Sequence, residues 1–136
     1  MNDYIIIDGR KFKTIIALTE EEQQQGLMYK KWMPPIMSFP SDRPIIRKFW
    51  MLNTPSPLDI IYACDNKVID ICNGVPFSLN FVGPNEPSDL VVEMPKGFAN
   101  RFHIKNGSRI ELNYSIKTLA KKHSDKISKW AGISRT

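Results

Sequence analysis

No run of apolar residues in this chain approaches the roughly 20 that carry a helix across a bilayer, so a helical membrane protein is excluded. Histidine occurs only at His103 and His123 and cysteine only at Cys64 and Cys72. There is no His-Glu-x-x-His zinc site, no Gly-x-Ser-x-Gly nucleophile elbow, no Gly-x-x-x-x-Gly-Lys phosphate loop and no dinucleotide fingerprint. No metal and no cofactor are therefore expected. The opening Met1-Asn2-Asp3-Tyr4-Ile5-Ile6-Ile7 has no basic segment, and Asp8-Gly9 ends its apolar run, so an export signal is not expected. If Cys64 opposes Lys67 across a two-residue turn, Cys72 stands opposite Asp59. The thiols are then about 16 Å apart along the strand, beyond disulfide reach. Two free thiols fit a reducing compartment.

What is present is a chain of 136 residues, 42% hydrophobic and 24% charged, which fits one globular domain. Its net charge of +5 lies entirely at the end. Residues 115–136 hold Lys117, Lys121, Lys122, Lys126, Lys129 and Arg135 against Asp125 alone. In the same segment Ile116, Leu119, Ala120, His123, Ile127, Trp130 and Ala131 recur at three- and four-residue intervals. That pattern predicts a basic amphipathic helix ending at Gly132. The chain thus divides into a body, 1–114, and a basic tail, 115–136.

Along the body, Tyr4 to Ile7 and Lys11 to Leu18 flank the turn dipeptide Asp8-Gly9 and read as a hairpin. Thr19-Glu20-Glu21-Glu22 is a capping box opening a short helix that Gly26 stops. Pro34, Pro35, Pro40 and Pro44 exclude regular helix from Trp32 to Pro44, which reads as an irregular loop anchored by Trp32, Met33, Ile36, Met37 and Phe39. Ile45 to Leu52, Leu58 to Cys64 and Lys67 to Cys72 read as three adjacent strands in mid-sheet, the first two joined by an Asn53 to Pro57 turn. Asn73 to Asp89 is a long, partner-facing loop. Leu90 to Met94 is a strand, Phe98 to His103 one helical turn, and Ser108 to Tyr114 the last strand. The fold class is mainly β (α+β): a small curled sheet or partly open β-barrel of about seven strands with one short helix, plus the C-terminal helix.

Three motifs stand in order: Gly26-Leu27-Met28, then Trp50-Met51-Leu52-Asn53-Thr54-Pro55-Ser56-Pro57-Leu58-Asp59, then Val92-Glu93-Met94-Pro95-Lys96-Gly97. Together they resemble the DUF192 (UPF0127) family from about Phe12 to Leu112. The resemblance implies the fold but no activity, since that family has no agreed biochemical function. Relatives usually show Glu-Arg where this chain has Glu22-Gln23, Arg where it has Lys30, and Gly-Met-Leu-Phe where it has Pro35-Ile36-Met37-Ser38-Phe39. Lysine cannot reproduce the planar fork of arginine. Many bacterial relatives carry an export signal. Its lack here points to the cytoplasm of the producing cell, or to a virion, since such proteins also occur in tailed phages.

Three functions follow as expectations. The first is a non-enzymatic accessory module that docks on a larger protein assembly, such as a phage particle, or on a copy of itself. Lys121, Lys122, Lys126, Ile127, Lys129 and Trp130 are its candidate contacts, and the lysines steer it toward a protein or anionic surface. Nucleic acid is disfavoured, because the basic residues form no recognised module. The second is a small-ligand or carbohydrate-binding domain in which Trp50 is an apolar platform beside the polar groups of Asn53, Thr54 and Asp59. Turn formation and capping are the structural alternative for those three. The third is a hydrolase with an unfamiliar carboxylate site, which requires Asp59 and a second acid such as Glu93.

Overall fold

The computed structural model describes residues 3–29 and 34–114. Expectations for Trp32, Met33 and the whole segment 115–136, including its helix and its candidate contact residues, lie outside the described residues. Eight strands and two short helices are described, in the order β1 Tyr4–Ile7, β2 Arg10–Lys13, β3 Ile15–Ile16, α1 Glu20–Gln25, β4 Met37–Ile45, β5 Leu58–Cys64, β6 Lys67–Gly74, β7 Ser88–Pro95, α2 Phe98–Arg101 and β8 Ile110–Leu112. The mainly-β class holds, with the strands divided between two sheets. One is three-stranded, β2-β1-β8, and the other five-stranded, β3-β4-β7-β5-β6.

The hairpin turn at Asp8-Gly9 forms as read, with both residues at positive φ. The strand expected to run from Lys11 to Leu18 breaks at Thr14. Its hydroxyl meets Ser38 Oγ at 2.7 Å and lies 3.2 Å from the Ile36 carbonyl, which turns the chain inward. Ile15–Ile16 then joins the other sheet, parallel to β4. The capping box also forms, with Glu22 N–H donating to Thr19 Oγ1 and Thr19 N–H to Glu22 Oε1, both at 3.0 Å.

Two sequence expectations are corrected in mid-chain. The supposed proline loop contains β4, nine residues that pair with β7 through Met37↔Glu93 to Pro40↔Leu90. Pro40 is tolerated because β3 covers only Met37 and Ser38, so beyond Ser38 that side of β4 is an edge, where a missing N–H costs no ladder bond. A register shift follows between Pro40 and Ile45. Conversely, the expected strand from Ile45 to Leu52 does not form. Ile45 ends β4, pairing with Ser88, the isolated bridge Phe49↔Val82 follows, and β7, not this segment, lies between β4 and β5.

Alternation along β5 and β7 sends side chains to two different cores. On one face Ile61, Ala63, Val92 and Met94 pack with Ile5, Ile7, Ile110 and Ala99, so the small sheet and α2 cover it. On the other, Leu58, Ile60, Tyr62 and Val91 pack with Leu27, Phe49 and Met51. With no second sheet on that side, the Phe49-to-Ser56 segment is itself the lid. Burying Phe49 and Met51 there contributes about 1.5–3 kcal/mol each, which explains why an irregular segment holds a single course.

Candidate functional site

The lid is fixed by a buried charge. Arg47 and Glu93 are both 0% exposed on the lid side of the sheet. Arg47 Nη1 donates to the Phe39 carbonyl at 2.7 Å and Nη2 to Gln23 Oε1 at 3.1 Å, and the guanidinium lies 5.3 Å from the Phe49 ring centroid. Gln23 Nε2 in turn donates to the carbonyls of Ala17 and Pro40. Burial pushes the Arg47 pKa down to about 10, with the neighbouring Tyr62 and Glu93 acting in the opposite direction, so it stays ionised at neutral pH. Burial likewise raises Tyr62, whose hydroxyl stays neutral and donates to the Val82 carbonyl at 2.7 Å. Gly83 packs so closely here that a Cβ would lie 2.6 Å from the Arg47 carbonyl oxygen and 2.8 Å from the Tyr62 hydroxyl. Sequence reading missed this network. Its one signal is an arginine inside the apolar run Ile45-Ile46-Arg47-Lys48-Phe49-Trp50.

The four candidate ligand residues divide between surface and interior. The Trp50 ring stacks on Phe81, centroids 5.1 Å apart and planes at 11°. Asn53 sits at φ 53°, a left-handed conformation that asparagine tolerates, and its Nδ2 donates to the Tyr29 hydroxyl at 3.0 Å. Thr54 is fully buried, its hydroxyl donating to the Leu52 carbonyl at 3.1 Å and its own carbonyl accepting from Phe77 N–H. Asp59 is buried too, and its Oδ2 accepts the backbone N–H groups of Gly97 and Ala99, both at 3.0 Å. Its Oδ1 lies 3.6 Å from Lys96 Nζ. The Asp59 carboxylate thus serves the start of α2, the capping alternative read from sequence.

The carboxylate pair required of a hydrolase is not assembled. Asp59 faces Met94 and Glu93 faces Ile60 across the same two strands, so the two acids leave opposite faces of the sheet. Among the described residues no group of three His, Cys, Asp or Glu side chains is placed to hold a metal ion. His103 is exposed at the end of α2, and His123 lies outside the described residues.

Both cysteines are free thiols, as the strand geometry predicts. A register shift between Tyr62 and Ala63 slides Cys72 opposite Ile60 instead of Asp59. Burial, together with the Asp70 carboxylate 3.5 Å from its sulfur, pushes the Cys72 pKa up to about 12, and burial also raises Cys64. At pH 8 Cys72 is therefore only about a ten-thousandth thiolate. A disulfide exchange reagent at that pH is expected to modify Cys72 far more slowly in the folded chain than in urea; equally rapid labelling without denaturant would show that the fold does not suppress its thiolate. Because the folded pKa is raised, this thiol stabilises the fold below its unfolded value. The contribution fades as pH rises from about 8.5 toward 12.

The segment following β6, expected from sequence as a long partner-facing loop, carries an apolar pattern that this reading missed. Val75, Phe77, Leu79 and Phe81 alternate along it and all expose their side chains, Phe77 by 61% and Leu79 by 60%. Backbone bonds hold this segment against the lid: Phe77 N–H to the Thr54 carbonyl, Met51 N–H to the Ser78 carbonyl, and the paired Phe49 and Val82. Tyr29, 68% exposed, joins through its N–H bond to the Asn53 carbonyl. Trp50, Phe81, Phe77, Leu79 and Tyr29 therefore lie on adjoining segments. Four apolar residues at alternate positions in a loop bounded by Gly and Pro are the signal that could have found the patch.

No described helix is long and apolar enough to cross a membrane, which says nothing of a β-barrel. No curated protein matches the chain. Among solved structures, it is similar to a protein of unknown function from Novosphingobium aromaticivorans, at 32% identity over 82% of this chain and 84% of that one, with a TM-score of 0.73. It is also similar to a Sinorhizobium meliloti protein provisionally described as a transcription regulator, at 28% identity over 82% and 93%, with a TM-score of 0.75. The pattern of the uncharacterised DUF192 family ("Uncharacterized ACR") matches residues 4–112, both sheets and the lid included, and the chain belongs to that family.

Proposed function

We propose that the protein is a non-enzymatic interaction module that docks on a larger protein assembly through the aromatic face of Tyr29, Trp50, Phe77, Leu79 and Phe81. The observation that carries this reading is Phe77. It is a bulky residue at φ 61°, a left-handed conformation costing roughly 1–2 kcal/mol, yet its ring is 61% exposed and gains little from burial. Strain kept without a folding return is a mark of function. Exposed aromatics beside a polar rim are the usual anchors of protein interfaces, where a few such side chains supply most of the affinity. The partner chemistry is thus an apolar protein surface. Lys122, Lys126 and Lys129, with Ile127 and Trp130, belong to the same proposal as a steering and anchoring arm, and a virion is one assembly of the required kind.

The test separates binding from stability. Phe77→Asn removes the anchor and places in the left-handed conformation a residue that accepts it. It is expected to hold or raise the melting temperature while weakening capture of the protein retained by the unaltered chain at least about 30-fold, the equivalent of roughly 2 kcal/mol. Retention of the same protein by both a Phe77→Asn and a Leu79→Ser variant would overturn the reading.

A further inference from the structure

A cleft of about 330 Å³ opens between β8 and the adjoining ends of β5 and β7. Ala63, Leu90, Ile110 and Leu112 form its apolar floor, and Asn66, Asp89 and Glu111 its polar rim. Tyr114, the last described residue, stands at its wall, held with Leu112 against Ile16 and Leu18. Size and lining would suit a small molecule, but the chain itself offers a closer occupant.

We propose that the cleft seats the residues that follow Tyr114, with Ile116, Leu119 and Ala120 on the apolar floor and Lys117 and Lys121 at Asp89 and Glu111. Three independent observations converge on this occupant. The first is continuity: Tyr114 lines the cleft, so Ile116 is within about 7 Å of its wall at extended-chain spacing. The second is pattern, because Ile116, Leu119 and Ala120 fall on one face at helical spacing, with Lys117 and Lys121 following the first and last of them. The third is charge complementarity. The tail holds the whole net charge of +5, whereas the rim presents two carboxylates, with Asp65 beside them through its N–H bond to Asp89 Oδ2 at 3.2 Å. Arg109, 3.9 Å from Glu111, is a largely exposed partner that leaves this carboxylate in reach of a lysine. Burial raises the Asp89 pKa, and an arriving ammonium would bring it back down by favouring the ionised form. The inference stands apart from the aromatic face, which lies on other segments.

The experiment uses the full chain at low micromolar concentration with a zero-length carbodiimide, which condenses a carboxylate and an amine only when they touch. Amide links from Asp89 or Glu111 to Lys117 or Lys121, in the monomeric fraction, are the expected result. Tail lysines linked to no cleft carboxylate would overturn the proposal, and so would such links found only in covalent dimers, which would make a second copy the occupant. Amide hydrogen exchange is the second measurement. Leu119→Asp is expected to speed exchange at Leu90, Glu111 and Leu112 about tenfold, while Ile133→Asp, beyond the predicted helix, changes it less than twofold. Equal rates in the two variants would overturn the proposal even if both fold.

Discussion

Arg47→Ala is expected to cost about 3–5 kcal/mol of unfolding free energy. The reason is what remains behind. Removing the guanidinium strips donors from the Phe39 carbonyl and from Gln23 Oε1 and takes away a buried cation that attracts Glu93. A buried carboxylate that loses its compensating charge costs far more than the pair contributed. The pair itself is a different quantity. Joint replacement, Arg47→Met with Glu93→Leu, keeps volume and removes both desolvation terms, so the double variant is expected to be more stable than Arg47→Ala by at least about 2 kcal/mol. Urea denaturation checks both, since a loss of that size shifts the midpoint by roughly 2 M at the slope typical of a domain this long. If Arg47→Ala costs less than about 1 kcal/mol, the two charges do not depend on one another and the lid is held by its apolar residues alone.

Legibility in the sequence followed the range of the forces involved. Local devices were readable: the Thr19–Glu22 capping box, the Asp8-Gly9 turn and the Asp65-Asn66 turn with both residues at positive φ all form as the residue types require. So were β5 and β6, runs rich in β-branched residues on either side of that turn. What failed was set at long range. Pro40 and Pro44 argue against a strand by propensity, yet β4 forms because β7 offers a ladder on one side while the other side has run out of partner. The run from Ile45 to Leu52 has strand propensity, yet Phe49 and Met51 are used to cover a sheet face that no second sheet covers among the described residues. Neither outcome follows from a window of ten residues, because each depends on which strands flank the segment in space. The Cys72 register missed by one position for a similar reason. A bulge near Tyr62 is invisible to a pairing sum, and one extra residue moves every later partner. At the candidate site, residue types drew attention to Trp50, Asn53, Thr54 and Asp59 but carried no information on which of them face solvent, since exposure there depends on the segments that fold over the turn.

Asp59→Ala is the second large effect, and it bears on what the Trp50–Asp59 motif is for. Two backbone N–H groups, of Gly97 and Ala99, are satisfied by one carboxylate oxygen, and Ala99 is itself buried. Hydrogen bonds to a charged acceptor contribute about 1.5–3 kcal/mol each, and orphaned buried donors cannot all turn to water. The expected loss for Asp59→Ala is therefore about 3 kcal/mol, with Asp59→Asn losing roughly half because an amide oxygen can still accept. Lys96→Ala should cost under about 1 kcal/mol, since that side chain is 48% exposed and its contact with Asp59 at 3.6 Å is screened. Thermal unfolding of the three variants orders them. A residue kept for a ligand shows the reverse pattern, because burying an unused carboxylate destabilises the empty protein and its removal tends to stabilise it. A rise in melting temperature for Asp59→Ala would thus restore the ligand reading. The predicted fall would make Asp59 the pin that fixes the Pro95-Lys96-Gly97 turn to the end of the Trp50 motif, one carboxylate holding both segments.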